Sequence, residues 1–347
     1  MNYFITLIKR NWLFFIIMTA VLIFMNILQT PQKSTGEPIL SEFISHIITI
    51  ALINVLMAVS LNLVNGFTGQ LSLGHGGFMC IGAYSASMIT KIILPASGNA
   101  GWLVFILALI IGGITSGLIG YLIGLPTLRL KGDYLAIVTL GFSEVIRSIM
   151  VISDDIANVL NSIGLVSISN VIKEIGGPRG ITGIDERSIL PVVLIIVAIG
   201  IIMMRNLIYS SFGRAFQSIS EDEIASETMG INTTKYKTMA FSISAFWAGV
   251  GGGLLAHKLL FISPNNFTFL KSIEYLIYVY AGGIGSISGS ILSAMGLTCV
   301  LEFTRTLNLD EWRFVFYALL LIVLMLKKPA GLMGNKEFRF MIPREYR

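Results

Sequence analysis

The sequence predicts an all-α polytopic membrane protein, and three observations carry that expectation. Of 347 residues, 54% are hydrophobic and 12% are charged, against about 25% charged in an ordinary soluble domain. With a mean hydropathy of +0.81, the chain has too few charges to coat a water-facing globule. The windows 11–32, 43–90, 92–128, 188–204, 238–257 and 275–301 contain no Asp, Glu, Lys or Arg. Finally, the basic residues cluster in alternate loops, as the positive-inside rule requires of a multi-pass protein. At about 20 residues per span, the windows accommodate about ten helices, with eight as the lower bound.

The spans are expected near 12–28, 43–63, 76–94, 102–125, 134–152, 189–208, 238–261, 272–284, 289–304 and 312–326. The first follows Lys9 and Arg10 with no small-residue cleavage site behind it, so 12–28 reads as a retained signal anchor. The window 43–90 is long enough for two helices and a hinge. Lys9 and Arg10 place the N-terminus in the cytoplasm, and counting onward puts Arg129, Lys131, Arg205, Arg214, Lys235 and Lys237 inside. The basic tail 327–347 also lands inside. Residues 153–188, with Asp154, Asp155, Glu174, Asp185 and Glu186 against three basic residues, form an external loop. A single span over 272–304 would turn the basic tail outward, so two spans are expected there. The net charge of +5 is thus accounted for by membrane orientation and does not point to nucleic acid.

Glycine numbers 35, and Gly113 with Gly117, Gly120 with Gly124, Gly249 with Gly253 and Gly285 with Gly289 all have the small-x-x-x-small spacing of close helix pairs. Cys80 and Cys299 lie in apolar runs and read as small packing residues. Residues 66–90 and 282–300 each pass from a glycine-rich turn into a small-residue helix. Spans 2–5 begin outside and spans 7–10 inside, so an inverted repeat of the two sets is expected.

Three stretches stand out for mechanism. Residues 62–75, NLVNGFTGQLSLGH, are polar and glycine-rich between two spans. They read either as a broken helix facing a cavity or as a short cytoplasmic turn. Asn65, Gly66, Thr68, Gly69, Gln70, Ser72, Gly74 and His75 are the candidate pathway or hinge residues. His46, His75 and His257 lack metal-ligand spacing. Glu144 and Arg147 sit three apart in the fifth span, where charge needs a partner or water; they read as a structural clamp, a snorkelling pair or part of the pathway. The cytoplasmic segment 210–235 carries S-x-x-E at Ser220 and Glu223, a capping box, and Gly230 where a C-cap belongs. A helix over 221–229 is expected, with Ile224, Ala225, Thr228 and Met229 as its apolar side and Glu223 and Glu227 beside them. Such an element suits protein docking. Its acidic first turn, Glu221 and Asp222, argues against lying on an anionic leaflet.

With these residues in view, the chain resembles the permease subunits of branched-chain amino acid ABC importers, in particular the longer of the two paired permeases. The stretches that carry the likeness are GFTGQLSLGHGGFMCIGAYSA (66–86), LPTLRLKGDYLAIVTLGFSEVIRS (125–148), GGPRGITGI (176–184), GRAFQSISEDEIASETMGIN (213–232) and GGIGSISGSILSA (282–294). They are distributed over roughly residues 50–330. The resemblance implies a bacterial plasma (inner) membrane permease without catalytic residues or a bound cofactor, with ATP and Mg held on partner subunits. Its implied partners are a second homologous permease, two cytoplasmic ABC ATPases and an extracytoplasmic solute-binding protein, besides membrane lipid. Residues 213–232 then form the ATPase-coupling loop, although the importer pattern E-A-A-x-x-x-G is replaced by Ile224, Ala225 and Ser226 when aligned on Gly230. Gly176, Gly177, Pro178, Arg179, Gly180, Thr182 and Gly183 are the implied contact for the binding protein. The same family includes urea and short-amide permeases, so the substrate is the less specific part of the likeness. An ion-coupled secondary transporter would need buried carboxylates, and away from Glu144 the spans are nearly free of acids. No phosphate-loop G-x-x-x-x-G-K-[ST] is present in the chain.

Overall fold

The computed structural model describes residues 41–94, 98–128, 130, 132–163, 166–306, and then 315, 318, 319, 322, 323, 326–328, 330–334, 336–338, 341 and 342. The expected span 12–28 lies outside the described residues, and 312–326 and the tail 327–347 are described only at scattered positions. The helices are α1 (Glu42–Asn65), α2 (His75–Met88, continued by a π turn Ile89–Ile93), α3 (Gly98–Thr127), α4 (Asp133–Val151), α5 (Ser153–Ser162) and α6 (Val166–Lys173). They are followed by α7 (Leu190–Ile208), α8 (Ser211–Glu221), α9 (Glu223–Thr228), α10 (Thr233–Leu259), α11 (Phe269–Gly282) and α12 (Ile287–Thr306). Two short strands, β1 (Ile181–Thr182) and β2 (Phe261–Ile262), pair antiparallel with Ile181 opposite Ile262.

Among the described residues, six helices are long and apolar enough to cross a membrane: α1, α2 with its π turn, α3, α4, α7 and α10. Five of them follow the uncharged windows, and α4, which carries Glu144 and Arg147, lies on the expected span 134–152. Residues 272–304 form two helices rather than one, because the chain turns at Gly283 and Gly285, both with positive φ. The expected external loop 153–188 is more ordered than a loop. Asp154 and Asp155 sit in the first turn of α5, where carboxylates complement the helix dipole, and Ser169 Oγ of α6 donates to Ala157 O at 2.7 Å.

The chain divides into two compact units. The larger comprises Ser60–Ser188 and Ala215–Ile277, and its centre is the packing of α2, α3 and α10. Gly82, Gly112 and Gly249 meet there, one from each helix. A Cβ on Gly82 would collide with the backbone of Gly249, one on Gly112 would lie 2.8 Å from Gly82 O, and one on Gly249 would lie 2.6 Å from Gly112 O. Ser116 Oγ ties the same helices together, donating to Phe78 O at 3.0 Å and Ala245 O at 2.8 Å. Gly113 and Gly117 receive Phe246, and Gly120 faces Ala245, so the glycine-spaced faces of α3 and α10 do pack as the spacing predicts.

The other unit comprises the described parts of Met1–Val59 and Tyr278–Arg347 together with Ile189–Arg214. Here the expected pairing of Gly285 with Gly289 is corrected. Gly285 lies in the turn with φ +79°, and the close approach is between Gly282 and Gly289. Asn54 Nδ2 donates to Thr298 Oγ1 at 2.9 Å. The tail is more than a basic extension: the Glu337 carboxylate accepts from Ile287 N, from Ser288 N at 3.0 Å and from Ser288 Oγ. It thereby caps α12, whose first amides have no partner within the helix. Arg205 Nε donates to Met341 O. Cys80 is buried as expected, but Cys299 is exposed and fills no interior space in this chain.

Candidate functional site

The segment 210–235 folds as a hairpin of α8 and α9 joined to the start of α10. The expected box of Ser220 and Glu223 does not form. Ser220 stays in the last turn of α8, and Asp222, with extended backbone, is the N-cap of α9, accepting from Ile224 N at 2.9 Å and Ala225 N at 3.0 Å. An Asp in extended geometry directly before the helix outcompetes a Ser that is still helical. The helix is therefore six residues, Glu223–Thr228, rather than 221–229. Gly230 does end it. With φ +84° it lets Ile231 N reach Ser226 O at 3.0 Å while Gly230 N bonds Glu227 O at 2.9 Å, the paired bonds of a Schellman turn. Asn232 then caps α10 through Lys235 N at 3.0 Å.

Both glutamates are tied to α10, Glu223 half-buried and Glu227 still exposed. Glu223 Oε1 pairs with Lys237 Nζ of α10 at 2.6 Å, and Glu227 Oε1 accepts from Thr233 Oγ1 at 2.6 Å. Ser226, missed at the sequence level, is buried and bonded to Ser218 of α8 at 2.7 Å, and Phe216 meets Tyr236 edge to face. The hairpin is thus fastened to α10 at several points. What it leaves outward is an apolar pair among acids: Ile224 is 68% and Met229 82% exposed, with Glu221, Asp222, Ala225, Glu227, Thr228 and Gly230 also at the surface.

Between α1 and α2 the chain is unwound over 66–74, yet Asn65, Thr68, Gln70, Ser72, Gly74 and His75 are buried. Asn65 Oδ1 accepts from Ser72 N at 3.1 Å, Thr68 Oγ1 donates to Val64 O at 2.7 Å, and Leu73 N donates to Thr139 Oγ1 at 3.0 Å. His75 Nε2 and Ser60 Oγ lie 2.8 Å apart, and Gly76 N donates to Ser272 Oγ at 2.8 Å. Gly69 rests directly on the hairpin of α8 and α9: a Cβ there would lie 2.9 Å from Ser220 Oγ. Among the described residues no cluster of His, Cys, Asp or Glu could hold a metal ion.

Glu144 and Arg147 form an ion pair at 2.6 Å, each side chain about a quarter exposed (28% and 26%). The second carboxylate oxygen, Glu144 Oε1, accepts from Phe269 N at 3.0 Å, so α4 supplies the cap for the first turn of α11. One carboxylate thus joins Arg147 of its own helix and the start of α11. Glu144→Ala should lower stability by about 1–2 kcal/mol, as loss of a helix cap does, whereas Glu144→Gln keeps an acceptor and should lose less than half as much. Thermal unfolding in detergent measures both, and equal effects would contradict the cap.

The block 176–184 is anchored at its base and open at its tip. Gly177 N donates to Ser153 Oγ at 3.1 Å, Arg179 pairs with Asp154 at 3.6 Å, and Ile181 and Thr182 form the short ladder with β2. Gly180 backs onto Ile262 and Ser263. Pro178, Arg179, Thr182 and Gly183 face outward, whereas Gly177 is buried and Gly176 half-buried.

Comparison with known proteins places these features. Residues 43–325 match the family described as the branched-chain amino acid transport system permease component. The high-affinity branched-chain amino acid transport system permease protein LivM of Salmonella typhimurium is 34% identical over 303 residues, covering 83% of this chain and 69% of LivM. LivH of Escherichia coli and BraD of Pseudomonas aeruginosa, both named as permease proteins of the same kind of system, are each 25% identical over 84% of this chain and 94% of their own length. No solved structure matches the chain. With a family match over most of its length and a relative at 34% identity, the chain belongs to the branched-chain amino acid transport system permease family, whose members are multi-pass membrane transport proteins.

Proposed function

We propose that this chain is a permease subunit of an ABC importer in the bacterial inner membrane, forming part of the path for leucine, isoleucine and valine. ATP and Mg are held on two separate ATPase subunits, and no catalytic residue or cofactor is assigned to this chain. The observation that carries the reading is the hairpin of α8 and α9. It is fastened to α10 through Glu223 and Glu227, closed on itself by Ser218 and Ser226, and it presents Ile224 and Met229 to the outside. Exposed Ile224 and Met229 on a braced base suit a lever that docks in a groove of another protein. A homologous second permease is supported by the match of both LivM and LivH of Escherichia coli.

In the mechanism we infer, both termini are cytoplasmic. Closure of the ATPase dimer carries the hairpin, and α10 moves with it because the bonds above join the two. On the opposite side, Pro178, Arg179, Thr182 and Gly183 offer a pre-organised surface to a solute-binding protein. Substrate then crosses along the permeases by alternating access, with the 65–75 stretch as hinge.

The test is purification of the tagged chain in mild detergent, with identification of every protein that accompanies it. The wild-type chain should bring down phosphate-loop ATPases and a second polytopic permease. Ile224→Asp with Met229→Asp should lose at least tenfold of the ATPase while keeping the second permease. Recovery of this chain alone, in a preparation that still transports, would overturn the ABC reading.

A further inference from the structure

Buried polar side chains in folded proteins have hydrogen-bond partners with few exceptions, and each exception asks for a reason. Among the described residues, four side chains carry buried polar atoms with no partner: Gln70, Tyr84, Ser143 and Ser188. Ser188 stands apart, just before α7. The other three lie in α2 or beside it. Gln70 lies in the loop that leads into it, 5% exposed, with both Nε2 and Oε1 unpartnered. Ser143 of α4, fully buried, lies over the first turn, its Oγ 3.1 Å from where a Cβ on Gly77 would be. Tyr84 is two turns farther along the same helix, 2% exposed, its ring against Phe267.

The contrast within one short stretch sharpens the point. Asn65, Thr68, Ser72 and His75 are all bonded within the chain, so the loop is built to satisfy its polar groups, and the amide of Gln70 is the exception. Leaving such atoms buried and unpaired destabilises this conformation, and an apolar residue of the same shape would relieve it. A primary amide offers donors and an acceptor, and each hydroxyl offers both. An α-amino acid presents the complement, an ammonium donor beside a carboxylate acceptor.

We propose that the face of α2 toward α4 opens to line the translocation path, and that Gln70, Ser143 and Tyr84 hydrogen-bond the ammonium and carboxylate of the passing amino acid. The proposal rests on the import function above and assigns its polar recognition. The coupling hairpin has direct access to this track. Gly69, next to Gln70, is the residue on which Ser220 of α8 rests, so a displaced hairpin moves the Gln70 loop without a relay through the spans. Gly76 and Gly77 leave α2 free of side chains where it meets Ser143 and Ser272, which suits a seam that parts and recloses.

The test uses the whole complex in proteoliposomes, with its binding protein, ATP and radiolabelled leucine, and three shape-preserving variants: Gln70→Leu, Ser143→Ala and Tyr84→Phe. Unfolding temperature should stay level or rise in each, while uptake efficiency falls by about tenfold for Gln70→Leu and about threefold for the two hydroxyl deletions. Opposite movement of stability and uptake is the signature of groups kept for a passing solute. A fall in unfolding temperature parallel to uptake would make them structural groups and overturn the proposal, as would wild-type uptake by all three variants. Failure of the wild-type complex to import any branched-chain amino acid would instead bring down the function itself.

Discussion

Replacement of Gly82 by valine is expected to abolish folded protein altogether. Gly82, Gly112 and Gly249 come from three helices and meet backbone to backbone, so no flexible side chain at the junction can move aside for an added methyl. Overpacking in a core typically destabilises by 1–3 kcal/mol when neighbours can shift; against backbone on two sides the loss should exceed about 3 kcal/mol. Ser116→Ala, which removes only the hydroxyl bonds to Phe78 and Ala245, should retain a folded protein and serves as the control. Size-exclusion chromatography of the fluorescently tagged chain reads both. A monodisperse Gly82→Val peak with wild-type melting would show that α2, α3 and α10 do not pack this closely.

The second large effect is expected from Glu223→Ala. It strands Lys237, whose side chain is only 8% exposed, and removes the ion pair that braces α9 on α10. Removing one partner from a fully buried pair is worth about 3–5 kcal/mol; with Glu223 27% exposed, a local loss of about 1–3 kcal/mol is the appropriate scale. Ile224 and Met229 remain available for docking. ATPase subunits should therefore stay bound while leucine imported per ATP hydrolysed falls tenfold or more. Pairing the change with Lys237→Met, which removes the stranded charge, should recover part of the coupling. Undiminished transport per ATP in Glu223→Ala would exclude the braced-lever mechanism.

Much of this architecture is legible in the residues because lipid imposes a coarse rule. A span must keep unpaired charge out of most of its length, and the uncharged windows therefore locate α1 to α3, α7 and α10, while α4, with Glu144 and Arg147 paired inside it, lies in no such window. Finer features depend on competition between neighbours. Ser220 and Asp222 are both capable caps, and only the point at which α8 ends decides for Asp222. That Glu223 and Glu227 are bonded rather than free shows only when Lys237 and Thr233 arrive from α10. The pairing of Glu144 with Arg147 follows from their spacing, but its use as a cap for Phe269, 125 residues away, does not. The unpartnered atoms of Gln70, Ser143 and Tyr84 are likewise invisible in sequence, because being unpaired is a property of surroundings.

The cap that Glu337 places on α12 has a consequence in time. Ile287 leaves the ribosome 50 residues ahead of Glu337, an interval of roughly 3 to 10 seconds at ordinary elongation rates. Until then the first amides of α12 lack the carboxylate that satisfies them. Every residue of the larger unit, by contrast, has been synthesised once Ile277 is made. The two units therefore mature in a fixed order, the glycine junction of α2, α3 and α10 first and the elbow between α11 and α12 last. Translation that stalls between residues 287 and 337 leaves a chain with its central packing available and that elbow unlatched.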